Sequence, residues 1–148
     1  ADVKKLIDHD LEFVIGIYPN KKYHLNNNKL HLLPSSIIHN EVNNEVNNEV
    51  NNEKSLIKVK HAATGFMMIK RSALERVKDD VETYYLPDNN GRNVKIYNFF
   101  DCNVIDNDYL TEDYYFSYLF NKNGGKIYAD TSINLHHMGI HQYGELIN

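Results

Sequence analysis

The sequence holds a single cysteine, Cys102. An intrachain disulfide is therefore excluded, as is a zinc site built on clustered thiols. A lone thiol fits a reducing compartment, but nothing at the N-terminus names one. Long apolar runs are also missing. No stretch approaches the ~20 residues that cross a bilayer, so no membrane span is expected. Basic residues are few: Lys and Arg total 16 of 148, mostly isolated, and the net charge is -4. A tight nucleic-acid binder clusters its cations, so no nucleic-acid partner is expected. The chain opens at Ala1 without Met or signal peptide, directly on an amphipathic segment. This reads as a piece whose true start lies upstream.

The length is one domain's worth, and 42% hydrophobic residues suffice for a globular core. Val3, Leu6 and Ile7 form one face of a short helix from Asp2 to about His9. Glu12 to Pro19, EFVIGIYP, is β-branched and aromatic and predicts a buried strand. Asn20 to about Pro34 reads as polar and irregular. From His39 to Glu53 the unit NEVN repeats every four residues. Such a period drifts around a helix, Asn disfavours helix interiors, and three valines bury little. The segment reads as a solvated, low-complexity, disordered insertion within one partial domain spanning residues 1–148.

Order resumes at Leu56. Ile57 and Val59 alternate with Leu56, Lys58 and Lys60 in a strand pattern. Thr64 to Arg71 predicts a second strand, and Ser72 with Glu75 spells a capping box opening a helix with Ala73, Leu74 and Val77 inside. Asp88 to Arg92 is a turn. Val94 to Phe100 predicts a strand ending at Asp101, followed by a loop carrying Asp106, Asn107 and Asp108. Thr111 caps a helix that runs to about Asn123 and ends at Gly124-Gly125. Lys126 to Asp130 and Ile133 to Gly139 predict the last strands. Interleaved strands and helices give the α/β class.

Several phrases, taken in order, resemble GT-A glycosyltransferases, in particular the family-2-like and collagen-modifying enzymes. They are GIYP (Gly16 to Pro19), ATGFMMIKRSALERV (Ala63 to Val77), FFD (Phe99 to Asp101), YLTEDYYFSYLFNKNGGKIYAD (Tyr109 to Asp130) and INLHHMG (Ile133 to Gly139). Together they cover nearly the whole chain outside the Asn-rich insertion. The resemblance implies the C-terminal portion of a GT-A fold, a mixed sheet with flanking helices. The nucleotide-binding β-α-β region and its D-x-D motif would precede Ala1. Asp106-Asn107-Asp108 has that spelling but the wrong place, and reads as a solvated acidic loop.

The implied activity moves a sugar from a nucleotide-sugar donor to a hydroxyl acceptor, protein or glycan. The acceptor hydroxyl must lose a proton, and the departing diphosphate must be stabilised by a divalent cation, Mn²⁺ rather than Mg²⁺. In the "ED" phrase Asp113 takes the general-base role, with Glu112 beside it. Both also sit where acids commonly decorate a helix N-terminus. His136, His137 and His141 cluster near the end. Alternation puts His136 and His137 on opposite faces, and the resemblance selects His137 as the metal ligand. Thr64 and Gly65 line the donor or acceptor pocket by the same resemblance; Gly65 also reads as a packing glycine under a helix. Asp101 ends a strand, where α/β sites collect their residues, and could bond a sugar hydroxyl. Tyr109, Tyr114 and Tyr115 could stack on a sugar, but in a chain with 11 tyrosines they read as half-buried core residues. His9, His24, His31 and His61 have no ligand spacing.

Two other classes fit the same residues. One is a carbohydrate- or protein-binding module with a degenerate site and no catalysis. The other is a glycosidase using Asp113 and Asp101 as its two carboxylates. Without its upstream half the chain is expected to be inactive alone.

One expectation depends on composition only. Deleting residues 39–53 should leave the thermal midpoint unchanged within error, because the segment cannot offset its own ordering entropy. A drop of several degrees would show that the repeat is packed.

Overall fold

The computed structural model describes residues 2–26, 29–34, 37–38, 55–133 and 135–136. The NEVN segment (39–53), His137, Gly139 and His141 lie outside the described residues. In chain order the elements are α1 (Asp2–Asp8), β1 (Phe13–Gly16), β2 (Pro19–Asn26), β3 (Lys29–Pro34), β4 (Ile37–Ile38), β5 (Leu56–His61), a 3₁₀ turn (Thr64–Phe66), β6 (Met67–Ile69), α2 (Arg71–Val77), β7 (Thr83–Pro87), β8 (Asn93–Tyr97), β9 (Asn103–Ile105), β10 (Asp108–Leu110), α3 (Glu112–Lys122) and β11 (Ile127–Asp130).

A five-stranded mixed sheet runs β4-β5-β11-β1-β6. Only β1 and β11 are parallel, with Gly16 opposite Asp130; the other neighbours are antiparallel. Alternation along the strands divides the core between two faces. Phe13, Ile15, Val59, Ile127 and Ala129 point to the face covered by α2 and α3, where they meet Ala73, Val77, Phe116 and Phe120. Val14 and the half-buried Leu56, Met68 and Tyr128 point to the opposite face, where Leu6 of α1 and Ile133 cover them. The result is a mixed α/β sandwich of helix, sheet and helix.

Several sequence expectations change. The α1 face is narrower than its pattern suggests: Leu6 is buried, while Val3 and Ile7 are 59% and 57% exposed. A seven-residue helix docks by one turn only. The stretch expected to be irregular forms the β2–β3 hairpin. Thr64 to Phe66 is a 3₁₀ turn, so the predicted strand shortens to β6. The capping box does not form. The helix starts one residue early, at Arg71, and Glu75 bonds Arg71 and Lys78 on its own surface. The strand expected over Val94 to Phe100 ends at Tyr97 and pairs with β7, which the sequence reading did not find. Asp88 closes that hairpin by accepting from the N–H groups of Asn90 and Arg92, both 2.8 Å. Ile133, Leu135 and His136 lie in no strand.

The Asp106-Asn107 pair is a turn with a mechanism. Both have positive φ, 51° and 70°, and Ile105 pairs directly with Asp108. A two-residue hairpin loop of this kind favours Asn and Asp. At the end of α3, Gly124 takes φ +78°, and its N–H bonds the Asn121 carbonyl, as expected of the helix stop.

On the α1 side of the sheet, Asp130 is a buried charge. His9 Nε2 lies 2.9 Å from its Oδ2, and the Ser132 N–H donates to its Oδ1 at 2.8 Å. Beside the pair is a cavity of about 250 Å³ lined by Lys5, Asp8, Ser55 and Ser132. Burial pushes the Asp130 carboxyl up, but its bonds to His9 and Ser132 outweigh that and leave it below the ordinary value. A carboxyl depressed by folding stabilises the fold above its unfolded pKa of about 3.9, and that stability is lost as pH falls through the lower folded value. Asp130→Asn should lower stability near pH 7 by about 1–3 kcal/mol and flatten the fall in stability between roughly pH 5 and 2. Urea titrations across that range check this; an acid limb as steep in the variant as in the parent would refute it.

Candidate functional site

Glu112 and Asp113 stand at the N-terminus of α3. That helix is seated by its own inner face. Phe116 and Phe120 pack on Phe13 with ring centroids 5.7 and 5.6 Å away. One turn earlier come Glu112 and Asp113. Thr111 occupies the N-cap position in an extended conformation, as expected, yet its hydroxyl does not cap the helix. It donates instead to Asp113 Oδ1 at 2.6 Å, and the Tyr114 N–H reaches the same oxygen at 2.9 Å. The half-buried Asp113 carboxylate is thereby held on one oxygen by two donors. Glu112 beside it is exposed.

Ser117 is a positioning residue that the sequence reading missed. It is fully buried, donates to the Asp113 carbonyl at 2.8 Å and accepts the Ala62 N–H at 3.1 Å. This ties the first turn of α3 to the segment leaving β5. The signal was available: a serine sits amid the inner-face positions Phe116, Leu119 and Phe120. His61 was assigned no role, but it is buried and stacks on Tyr114, 4.6 Å between centroids at 26°. Burial, then the charges of Asp113 and Tyr18, push the Tyr114 phenol up. That phenol stays neutral near pH 7.

Gly65 enters the same neighbourhood through Tyr18. Its N–H donates to Tyr18 Oη at 3.2 Å, and a Cβ on Gly65 would stand 2.4 Å from the Tyr18 ring. Glycine is needed here because that ring lies against the backbone, not because a helix packs on it. Thr64 beside it is exposed.

Asp101 approaches from the other side. Phe100 stacks on Phe116 at 4.9 Å, which lays the Phe99–Asp101 segment along α3. Asp101 accepts the Cys102 N–H at 2.8 Å. Tyr109 of β10 is hydrogen-bonded to Cys102 and lies in the field of Glu112 and Asp101; these influences, led by Cys102, push its phenol up.

Of the six residues selected from sequence, Glu112 and Asp113 begin α3, Asp101 follows the Phe100 that stacks on Phe116, Gly65 lies against Tyr18, Thr64 is exposed, and His137 falls outside the described residues. Of its neighbours, His136 is exposed. Among the described residues no group of three or more His, Cys, Asp or Glu side chains could hold a metal ion. No helix of the described residues is long and apolar enough to cross a membrane.

No family model matches this sequence, and neither the curated proteins nor the solved structures yield a match.

The Gly65–Tyr18 contact is testable by itself. Gly65→Ala must push the Tyr18 ring aside and should cost about 1 kcal/mol. In a Tyr18→Ala background the same change should cost almost nothing, giving a coupling of about 1 kcal/mol. Additive losses in urea unfolding would show that Gly65 is required for another reason.

Proposed function

We propose that this chain is the acceptor-side half of a GT-A-type glycosyltransferase domain that moves a sugar from a nucleotide-sugar donor to a hydroxyl acceptor. The observation that carries this reading is convergence. Glu112 and Asp113 begin α3, and Phe100, stacked on Phe116, brings the stretch that carries Asp101 alongside the same helix.

On this reading Asp113 is the general base. As the acceptor oxygen bonds to the anomeric carbon, the bond from that carbon to the donor's diphosphate oxygen breaks, and the leaving group takes the electron pair. The acceptor's proton passes to Asp113. Thr111 and the Tyr114 N–H hold one carboxylate oxygen, which leaves Oδ2 to take the proton. Pre-orientation of this kind lowers the entropic part of the barrier. A divalent cation, Mn²⁺ preferred, would neutralise the leaving diphosphate; His137 is this chain's candidate ligand for it, and upstream residues would hold the donor.

In the full-length protein Asp113→Asn should reduce turnover by ~10²–10⁴ with donor affinity nearly unchanged. Stability should move by no more than about 1 kcal/mol, since Asn keeps an oxygen for Thr111 and the helix end. Glu112→Gln should cost less. Transfer at near the parent rate by Asp113→Asn would sink the base assignment and leave Glu112 and Asp113 as acids that only decorate the start of α3; no transfer by the parent protein would favour the binding module.

A further inference from the structure

The cavity on the α1 side of the sheet takes no part in the reading above. It is lined by Lys5, Asp8, His9, Ser55, Asp130 and Ser132, and every one of these side chains is polar. Its place is one where α/β folds bind ligands. β1 and β11 are parallel, Gly16 and Asp130 pair at their last positions, and the cavity lies beside that carboxyl end. Its floor is the His9–Asp130 pair, whose side chains are only 9% and 2% exposed. Burying such a pair costs desolvation, and an apolar pair of the same volume often serves a fold as well. A buried polar floor under a polar wall suits a polar occupant.

The mouth carries one charge of each sign. Lys5 and Asp8 are half-exposed, three positions apart on α1, and each bonds elsewhere. Lys5 Nζ donates to the Ser132 carbonyl at 3.1 Å and to Ser132 Oγ at 3.2 Å. An ammonium has three donors. Asp2, at 3.9 Å, is beyond hydrogen-bond reach, so one N–H is left for a ligand. Asp8 gives Oδ2 to Lys4, and its Oδ1 has no partner among the described residues. Ser55 is fixed at the rim, because its carbonyl accepts the Thr131 N–H at 2.8 Å and the Thr131 hydroxyl at 2.9 Å.

The geometry points to a binding site for a small α-amino acid in this cavity, with the ligand's carboxylate on Lys5 and its ammonium on Asp8. Charge selects a zwitterion. A plain anion meets the repulsion of Asp8 and Asp130, and a plain cation meets that of Lys5. An uncharged occupant would desolvate both mouth charges without giving them a partner. The Ser55 hydroxyl can add a second donor to the carboxylate. Size narrows the class further. The cavity holds about 250 Å³, below the ~300–1,000 Å³ of sites for drug-sized ligands and equal to the share of about eight waters. No aromatic side chain lines it, so a quaternary ammonium would lack its ring cage and the bound ammonium is a primary one. This inference is independent of the transferase reading, whose residues belong to α3 on the other face of the sheet.

The test uses the full-length protein with no nucleotide sugar present. The probes are glycine, L-alanine, L-serine and L-asparagine, each with its amide and its N-acetyl derivative, and inorganic phosphate. Binding is measured by calorimetry and saturation-transfer NMR. At least one free amino acid should bind with a Kd of about 1 mM or tighter, and its amide and N-acetyl forms at least about tenfold more weakly. Lys5→Met should weaken the amino acid about tenfold and leave its amide within about twofold, because only the carboxylate contact is lost. Asp8→Asn should weaken the amino acid equally and spare the N-acetyl form. Both residues are half-exposed, so neither variant threatens folding. Lys95→Met, on the β7–β8 hairpin, should change nothing. No binding by any amino acid, derivatives that bind as tightly as the parent, tighter binding of phosphate, or unchanged affinity in both α1 variants would each overturn the site.

Discussion

Phe13 lies between Phe116 and Phe120, and the placement of α3 depends on that contact. Each of these rings is fully buried, worth roughly 1.5–3 kcal/mol relative to exposure. Phe13 also sits on β1, the strand between β11 and β6. One aromatic on the central part of the sheet therefore fixes the rotation of an 11-residue helix. Turn that helix by one residue, about 100°, and Asp113 leaves the segment held by Ser117 and Ala62. The site's geometry thus follows from core packing several residues away.

The local electrostatics are built on the same frame. Acids gather at the start of α3, where the helix dipole favours negative charge. Thr111 does not compete for that role, because Asp113 supplies the oxygen that an N-cap side chain would otherwise provide. The Thr111 hydroxyl is turned into a donor for Asp113 instead. On the other face of the sheet a second carboxylate, Asp130, is buried against His9 and faces α1 rather than α3. The two carboxylates differ in what they face. Asp130 has its oxygens taken by His9 and Ser132, whereas Asp113 is held through Oδ1 by Thr111 and the Tyr114 N–H.

Much of this was legible in the sequence where burial follows period. The alternation of Phe13, Ile15 against Val14, and of Ile127, Ala129 against Tyr128, puts each residue on the face it occupies. The span of α3 and its Gly124 stop were readable for similar reasons. Legibility ended where a partner distant in sequence decides. Ser72 and Glu75 spell a capping box, but Arg76 instead reaches Glu12 at 2.7 Å, across 64 positions. The Glu12 carboxyl, depressed first by its bond to Ser72, takes the hydroxyl that would have capped the helix. Gly65 had a visible reason to be glycine, yet only the fold reveals that the reason is Tyr18, 47 positions away.

The acidic triplet at residues 106–108 shows how one spelling supports two physical readings. A D-x-D pair binds a metal when both carboxylates point to one place. Here Asp106 and Asn107 take left-handed backbone conformations and make the two-residue loop, while Asp108 begins β10. Residues 106 and 108 therefore belong to different parts of the hairpin, one to the bend and one to the ladder. The backbone demand of the turn accounts for Asp and Asn at these positions without a ligand. What the triplet does instead is set the register one residue further on, placing Tyr109 opposite Val104 on the open face. Had the loop been longer by one residue, the period-two alternation would have turned Tyr109 to the other face of the hairpin. The triplet thus shapes the surface of this hairpin through backbone geometry rather than through its carboxylates.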